Sequence, residues 1–392
     1  MSQFKNAGID TSDSAQSLEI SVVMPCLNEE KTIGLCIRQA LTSFKDNNLK
    51  GEVVICDNGS SDNSVEIAKG LGARLVFQKV KGYGCAYQLG ILEARGKYII
   101  IGDSDGTYDF SALMKFIQPL REGSDFVNGS RIKGRIHEGA MSFLHRRLGN
   151  PFLSFVLNLF FKSGFSDVYC GMKAFSKEFY WKIKPVSPGM EFALELVIKA
   201  SRLRAKRTEI PIDLFPRKGK SKLRTFRDGW RSLRFMLLYC PNYLFIIPGA
   251  LVFSAGLIGM GALFNGPVEF LGHTFDFHAM IFSSMLVLLG FQLINLGFFA
   301  KSYALAEGYE EKNTFFSNFY RHFKLEKGIF LGALMVLSGL CLSFYILRDW
   351  AIFGPMAQER RELFAFTIII VGIQTVFSSF LISLIGMKNR EL

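Results

Sequence analysis

GEVVICDNGSSDNSVEIAKGLG (residues 51–72) holds in one stretch the unit on which the first half of the chain is built. Residues 52–56 are an apolar, largely β-branched run, which reads as a buried strand. Residues 57–62 are Asp, Asn, Gly and Ser, a turn composition, and residues 63–70 follow with the spacing of a short helix. The same unit recurs on both sides. LEISVVMPCLN (18–28) is a strand ending in a turn, and EEKTIGLCIRQALTSF follows with apolar residues at 33, 36, 37, 40, 41 and 44. ARLVFQK is a third strand, 83–95 a helix, KYIIIGDSDG a fourth strand and DFVNGSR a short fifth. Strands alternating with helices require right-handed crossovers and a mostly parallel sheet, an α/β fold.

Ligands of such sheets lie beyond the carboxyl ends of the strands. The loops that fall there, PCLNEE, CDNGSSD and GDSDGTYD, all carry acids. Asp103 and Asp105 flank a single residue, so an extended turn lets both face one cation. Hard divalent metals take oxygen ligands, and Mg²⁺ combines one or two carboxylates with substrate phosphates. A lone DxD arises often by chance; one that follows a buried strand, beside two other acidic loops, is more specific. KGYGCAYQLG lacks the third glycine of a dinucleotide fingerprint and follows the wrong strand, which argues against a nicotinamide-dependent enzyme.

From about Tyr243 the texture changes. Four apolar segments, about 243–264, 279–300, 328–347 and 363–386, contain no Lys, Arg, Asp or Glu. Crossing a hydrocarbon core takes about 20 such residues, so the chain is expected to be an integral membrane protein. The first loop between these segments has no Lys or Arg, whereas the second carries Lys301, Lys312, Arg321, Lys324 and Lys327 and the tail Lys388 and Arg390. That asymmetry puts the N-terminal domain on the cytoplasmic side, at the plasma membrane of a prokaryote, although Arg348, Arg360 and Arg361 in the third loop weaken it. Residues 1–18 read as a disordered lead-in without a signal peptide. The expected division is 19–222 for the α/β domain, 223–242 for an amphipathic interfacial helix and 243–392 for the membrane domain.

Formal net charge is +12, and the excess is concentrated: thirteen Lys/Arg against three acids lie between Lys199 and Arg234. Within it, apolar residues at 223, 226, 230, 233 and 237 and arginines at 224, 227, 231 and 234 form two helical stripes. Such a helix suits the interface of a bilayer with anionic lipid; packing on the domain itself is the other reading. NPFLSFVLNLFF (150–161) is too short to span and is either a core helix or a second interfacial element. Nucleic acid is not the expected partner of the basic patch, which abuts a membrane span and lacks RNA-module aromatics. The seven cysteines form no CxxC pair and read as buried reduced thiols, and the five histidines have no zinc-site spacing.

The ordered series VVMPCLNEE, VVICDNGSSD, GYGCAYQLGILEARGKYIIIGDSDG, FVNGSR, RRLGN, SDVYCGMKAF and EIPIDLFPRKGKSKL, within about residues 18–225, resembles family 2 glycosyltransferases of the GT-A fold. Within that family it is similar to the polyprenyl-phosphate (dolichol-phosphate) mannosyl/glucosyltransferases. The resemblance implies an inverting transfer of one hexose from a nucleotide-sugar, UDP-glucose or GDP-mannose in type, to a polyprenyl phosphate. It implies that Pro25, Leu27 and Glu29 line the nucleotide pocket with Asp57 and Ser104, and that Asp103 and Asp105 hold Mg²⁺ or Mn²⁺ against the donor diphosphate. Arg131 and Arg147 would meet the acceptor phosphate, Arg217 and Lys222 the donor phosphates, and Asp167 occupies a family motif position with no assigned role. Two departures stand out. Asn58 replaces the family's second acid, and Thr107 replaces a Gln that can help coordinate the metal, leaving Thr107 or Asp109 to compensate.

A lipid monophosphate has a second pKa of about 6, so its nucleophilic oxygen is largely ionised at neutral pH. The chemistry then calls for positioning and charge neutralisation more than for a general base. A processive polysaccharide synthase of the same superfamily would need a QxxRW motif, and RDGW is not one. A non-catalytic binding domain on a membrane scaffold is the remaining alternative. The membrane segments serve as anchor or as an oligomerisation surface; both stay open.

Overall fold

The computed structural model describes residues 18–218, 225–306, 325–353 and 358–387. The chain divides into two compact units, one ending at Leu233 and one comprising Arg234–Leu392.

The first unit is built on a seven-stranded sheet. β1 (Ile20–Cys26), β2 (Gly51–Asp57), β3 (Arg74–Phe77), β4 (Tyr98–Ile101), β5 (Phe126–Ser130), β6 (Lys173–Ser176) and β7 (Arg207–Pro211) pair in the order β3-β2-β1-β4-β6-β5-β7. The pairings β1–β2, β1–β4, β2–β3 and β5–β7 are parallel, and the two made by β6 are antiparallel. The sheet is thus mostly parallel, as the alternation of elements required. Its central strands are buried on both faces: Val22, Val23, Met24, Ile55, Ile99 and Ile100 are fully enclosed. That is why these strands read as unbroken apolar runs rather than alternating ones. Helices α1 (Ile33–Asp46), α2 (Ser64–Gly70), α3 (Tyr83–Glu93) and α4 (Met114–Arg121) make the crossovers.

β6 and β7 have no counterpart in the sequence reading. Each is only four or five residues long, and KAFS and RTEIP carry too few apolar residues to signal a strand. Register makes β6 important. Lys173 sits opposite both Ile101 and Asn128, so this reversed strand begins at the edge where β4 and β5 end. The segment preceding β6 therefore reaches the same rim as the segments following β1, β2, β4, β5 and β7.

α5 (Asn150–Phe161) settles between the two readings offered for it. It buries Ser154, Val156, Leu157 and Phe161 and leaves Phe152, Phe155 and Leu159 exposed. α6 (Lys177–Ile183) and α7 (Phe192–Arg202) complete the cover of the sheet. α8 (Thr225–Leu238) forms where the amphipathic stripes are; Trp230 is exposed, and Arg231 pairs with Glu191 at 3.1 Å. The division between the units falls inside this helix.

Among the described residues the second unit has four helices long and apolar enough to cross a membrane, Asn242–Leu263, Phe277–Tyr303, Leu325–Phe353 and Glu359–Ile385. They belong to α9 (Ile247–Leu263, preceded by a wider turn from Asn242), α10 (Phe277–Ala306), α11 (Leu325–Phe353) and α12 (Glu359–Met387). A hairpin, β8 (Val268–Phe270) and β9 (His273–Phe275), occupies the first loop, which the sequence reading left without structure. α9 and α10 approach closely at Gly256, where a Cβ would stand 2.5 Å from the Val287 nitrogen. Small residues admit such contact between membrane helices. Ser284 and Thr367 add a 2.7 Å hydroxyl bond between α10 and α12.

Charge placement differs from the sequence expectation at one point. Lys301, which the hydropathy pattern assigns to the second loop, lies inside α10, buried, and donates to Asn242 Oδ1 at 3.1 Å. The helix outruns the apolar stretch because its backbone ladder is indifferent to side-chain polarity, and Asn242 supplies the ammonium with an acceptor. Arg348 pairs with Asp349, and Arg360 with Asp276. Lys312, Arg321, Lys324, Lys388 and Arg390 lie outside the described residues.

Candidate active site

The rim is stitched together before it can bind anything. Asp57, the last residue of β2, accepts from the backbone nitrogens of Gly59 (3.0 Å) and Ser60 (3.2 Å), closing its own turn. Asn28, in left-handed backbone at φ 57, accepts from Ser61 N at 2.8 Å. Glu29 N donates to Ser64 Oγ, also at 2.8 Å. The loop after β4 is tied in as well: Ser104 Oγ donates to the Pro25 carbonyl at 2.6 Å, and Thr32 Oγ1 to the Ser104 carbonyl at 2.9 Å. Pro25 and Ser104 are thus joined, and Leu27 stands exposed at the lip beside them.

Asn58 explains its own departure from the family pattern. Its Nδ2 donates to the carbonyls of Gln78 (3.0 Å) and Val80 (2.9 Å), and its Oδ1 accepts from Gly82 N (2.8 Å). An ionised Asp has no donor and could make only the last of these bonds.

Asp103 and Asp105 stand at the centre. Asp103 Oδ1 accepts from the phenols of Tyr83 (2.8 Å) and Tyr87 (3.1 Å), and its Oδ2 lies against Gly171. Tyr87 in turn stacks on Phe192 of α7, rings 5.4 Å apart and nearly parallel. Burial, and then the charge of Asp105, push the Asp103 carboxyl up to about 6, against the pull of both tyrosines and Arg217. Asp105 is buried; its Oδ1 accepts from Thr107 N (3.0 Å) and Thr107 Oγ1 (2.6 Å). Gly106 between them turns at φ +76, a conformation L side chains resist.

The two residues named as substitutes for the missing Gln have other occupations. Thr107 orients Asp105, and Asp109 Oδ1 accepts from Ser111 N at 2.9 Å, capping the short turn Phe110–Ala112. Among the described residues no three His, Cys, Asp or Glu side chains form a ready metal cage. Two buried carboxylates, one with its acidity weakened by burial and then by the other, match a hard divalent cation shared with a substrate diphosphate rather than one held by protein alone. The donor set fits Mg²⁺ or Mn²⁺ on Asp103 and Asp105.

Arg217 reaches this pair from the segment after β7. Its Nη2 is 2.6 Å from Glu29 Oε1 and its Nη1 3.5 Å from Asp105 Oδ2. Lys222 lies outside the described residues.

A second constellation forms where β5 and β7 end. Asp167 is fully buried and receives Arg131 N at 3.0 Å, Nε at 2.7 Å and Nη2 at 2.8 Å. Burial opposes both charges, but the pair wins: the Asp167 carboxyl is held below its usual range and the Arg131 guanidinium above its own. Glu209 of β7 supports Asp167 from behind, accepting from Ser166 N (2.7 Å), Asp167 N (3.2 Å) and Lys133 Nζ (2.7 Å). Lys173, wholly buried, donates to Asn128 Oδ1 at 2.5 Å, and burial lowers its ammonium to about 8. Tyr108 lies within electrostatic reach of both Asp103 and Arg131, which links the two constellations.

Arg147 is different. It is exposed in the helical turn before α5, and its side chain makes no hydrogen bond or ion pair with the described residues. Phe143, Leu148, Phe152 and Phe155 are exposed on the same stretch of chain.

The sequence reading missed Tyr83, Tyr87, Phe192, Glu209 and Lys173. Only the tyrosines left a signal: two phenols four residues apart share one helix face, here at the start of a helix that opens on the rim.

Residues 21–184 match the sequence profile of glycosyl transferase family 2, and residues 298–386 match that of the glycosyltransferase family 2 C-terminal transmembrane region. The low-salt glycan biosynthesis hexosyltransferase Agl6 of Haloferax volcanii is 37% identical over 380 residues, 96% of this chain and 91% of the relative. A dolichyl-phosphate hexose transferase of the same organism is 29% identical over 54% of this chain and 89% of its own. Among solved structures, glucosyl-3-phosphoglycerate synthase from Mycobacterium tuberculosis superposes at a TM-score of 0.44, with 20% identity over 56% of this chain and 78% of that one.

Proposed function

The chain belongs to glycosyltransferase family 2, and from that premise we propose that it transfers a single hexose from a nucleotide-sugar to a polyprenyl phosphate, with inversion, at the cytoplasmic face of the plasma membrane. The observation that carries this reading is the convergence of two phosphate-ready constellations on one rim: Asp103, Asp105 and Arg217 on one side, and Arg131 held by Asp167 on the other. The similarity to a dolichyl-phosphate hexose transferase supports a lipid phosphate as acceptor.

The donor's diphosphate lies over the loop after β4. Asp103 and Asp105 would hold a divalent ion, which would supply charge neutralisation to the leaving nucleoside diphosphate. Tyr83 and Tyr87 fix the Asp103 carboxylate, Thr107 fixes that of Asp105, and Glu29 flanks them where the base and ribose lie. The acceptor phosphate oxygen, already ionised, attacks the anomeric carbon from the opposite face while the bond to the leaving diphosphate breaks. Arg131, fixed by its bidentate partner, holds the acceptor phosphate in line through its remaining Nη1; Asp167 and Glu209 position it and do not touch substrate. Arg147 receives the phosphate from the bilayer, where Phe143, Leu148, Phe152 and Phe155 meet lipid and the exposed Trp230 of α8 lies at headgroup depth.

The experiment is transfer by the purified full chain from radiolabelled UDP-glucose and GDP-mannose to undecaprenyl or dolichyl phosphate, scored as label in the organic phase. Label that stays with the aqueous nucleotide-sugar, or enters a polymer, overturns the reading.

A further inference from the structure

Arg217 and Arg131 are both arginines paired with buried acids on the rim, yet the two pairings differ in kind. Arg131 commits Nε and Nη2 to the two oxygens of one carboxylate, at 2.7 and 2.8 Å. Arg217 splits its contacts between two acids on different loops, 2.6 Å to Glu29 and 3.5 Å to Asp105, and neither contact is bidentate. Its Nε is buried and has no hydrogen-bond partner among the described residues. A guanidinium built as a structural bridge would use the fork that Arg131 uses.

The backbone beneath Arg217 is fixed. Phe215 N donates to the Thr107 carbonyl at 2.9 Å, Leu214 N donates to the Arg135 carbonyl at the same distance, and the Phe215 ring stacks on His137 at 4.4 Å. The segment is thus pinned to the very loop that carries Asp105, and only the side chain is left to choose its partners. It lies against Asp105 Oδ2, while Thr107 holds the other oxygen of that carboxylate. The Oδ2 oxygen, covered by Arg217, is the one a divalent cation would need.

We propose that Arg217 is the resident counter-cation of the donor site: it neutralises Asp105 and Glu29 until a nucleoside diphosphate arrives with its divalent cation, then cedes Asp105 to the cation and turns its guanidinium to the diphosphate. Carboxylate and phosphate present similar paired oxygens to a planar fork, so the exchange costs the arginine little in geometry. Two consequences follow. A divalent cation alone binds weakly, because it must displace a positive charge that has nowhere better to go. Cation and nucleotide bind cooperatively, because the nucleotide supplies the anion to which Arg217 moves, and such coupling is reciprocal. The inference rests on the donor being a nucleoside diphosphate carried with a metal, and on nothing about the sugar or the acceptor.

The test is Mn²⁺ binding to the purified full chain without nucleotide, read by electron paramagnetic resonance of free Mn²⁺. Arg217→Gln is expected to bind Mn²⁺ alone about 5- to 150-fold more tightly than the native chain, the usual span of a coupling between two ligands. Arg217→Lys keeps the charge and is expected to bind it as weakly as the native chain. Unchanged or weaker Mn²⁺ affinity in Arg217→Gln, or equally tight binding by Arg217→Lys, overturns the proposal. A second measurement needs no variant: phenylglyoxal modification of Arg217 in the native chain, mapped by mass spectrometry, should accelerate when Mn²⁺ alone is raised to saturation. An unchanged rate overturns it too. A chain that shows these shifts but makes no lipid-linked sugar refutes the proposed reaction and leaves the exchange standing; one that makes the product without the shifts refutes the exchange alone.

Discussion

Arg131 and Asp167 are joined by three hydrogen bonds, one from the backbone nitrogen and two from the guanidinium, so that the acid holds both the main chain and the side chain of the arginine. Removing one partner of a buried pair leaves the other uncompensated and costs about 3–5 kcal/mol. Asp167→Asn should lose stability of that order in denaturant titration of the detergent-solubilised chain. It should also raise the KM for lipid acceptor well above any change in the KM for donor, since Asp167 acts only through Arg131.

Lys173 gives a pH signature of its own. Its ammonium is lowered to about 8 by burial, against an ordinary 10.5, so between those values the unfolded chain binds the proton and the folded chain does not. The contribution of Lys173 to stability therefore rises with pH through that window, by on the order of 3 kcal/mol. The Asp167 carboxyl works at the other end: held below its usual range, it contributes above about pH 4 and is lost as pH falls through its folded value. Buried thiols and phenols held above their usual ranges work against this as pH rises, so the quantity to read is a difference: the unfolding free energy of the native chain relative to Lys173→Met should rise from pH 8 to 10.5.

Tyr87→Phe keeps the ring stacked on Phe192 and removes one donor from Asp103. A hydrogen bond to a charged group contributes about 1.5–3 kcal/mol. The unliganded chain should lose stability of that order in its melting profile, and nucleotide binding in the presence of Mn²⁺, followed by calorimetry, should weaken as well.

Asp105→Asn should reduce metal-dependent transfer about 100- to 1,000-fold, the usual cost of removing one preorganised electrostatic group from a site. Transfer that persists at native rates in EDTA-treated Asp105→Asn protein would refute the assignment of the metal to this pair.

Arg147→Ala should weaken the lipid acceptor and spare the donor nucleotide, because Arg147 is exposed and engages none of the donor-side groups. A selective loss of nucleotide affinity would mean that the phosphate sites have been divided wrongly.

Much of this molecule was legible in its residues. The strands at 20–26, 51–57 and 98–101 are enclosed on both faces, and burial of that kind leaves an unbroken apolar signature. The four membrane helices announce themselves for a similar reason, since hydrocarbon tolerates no charge in their middles. That Asp103 and Asp105 meet on the rim was legible because they lie in the loop that follows a buried strand. What escaped was whatever depends on contacts distant in sequence. Glu209 supports Asp167 from 42 residues away, and Tyr87 meets Phe192 across two elements. β6 is four residues that become a strand only because β4 and β5 flank them. The second partner of Arg217 likewise lies 188 residues from it in sequence.

The reversed strand has a practical meaning for anyone who would build hybrids of this enzyme with its relatives. Because β6 runs against its neighbours, the eleven or so residues that precede it deliver Asp167 to Arg131 and Gly171 to Asp103 in a single pass. Donor recognition and acceptor recognition therefore do not come as separable cassettes. A crossover placed between residues 131 and 167 would pair one parent's arginine with the other parent's aspartate, so that transplanting sugar preference alone would disturb the seat proposed for the acceptor phosphate. Workable junctions lie before β4 or after β7, so that Asp103, Arg131, Asp167, Gly171 and Glu209 travel together from one parent.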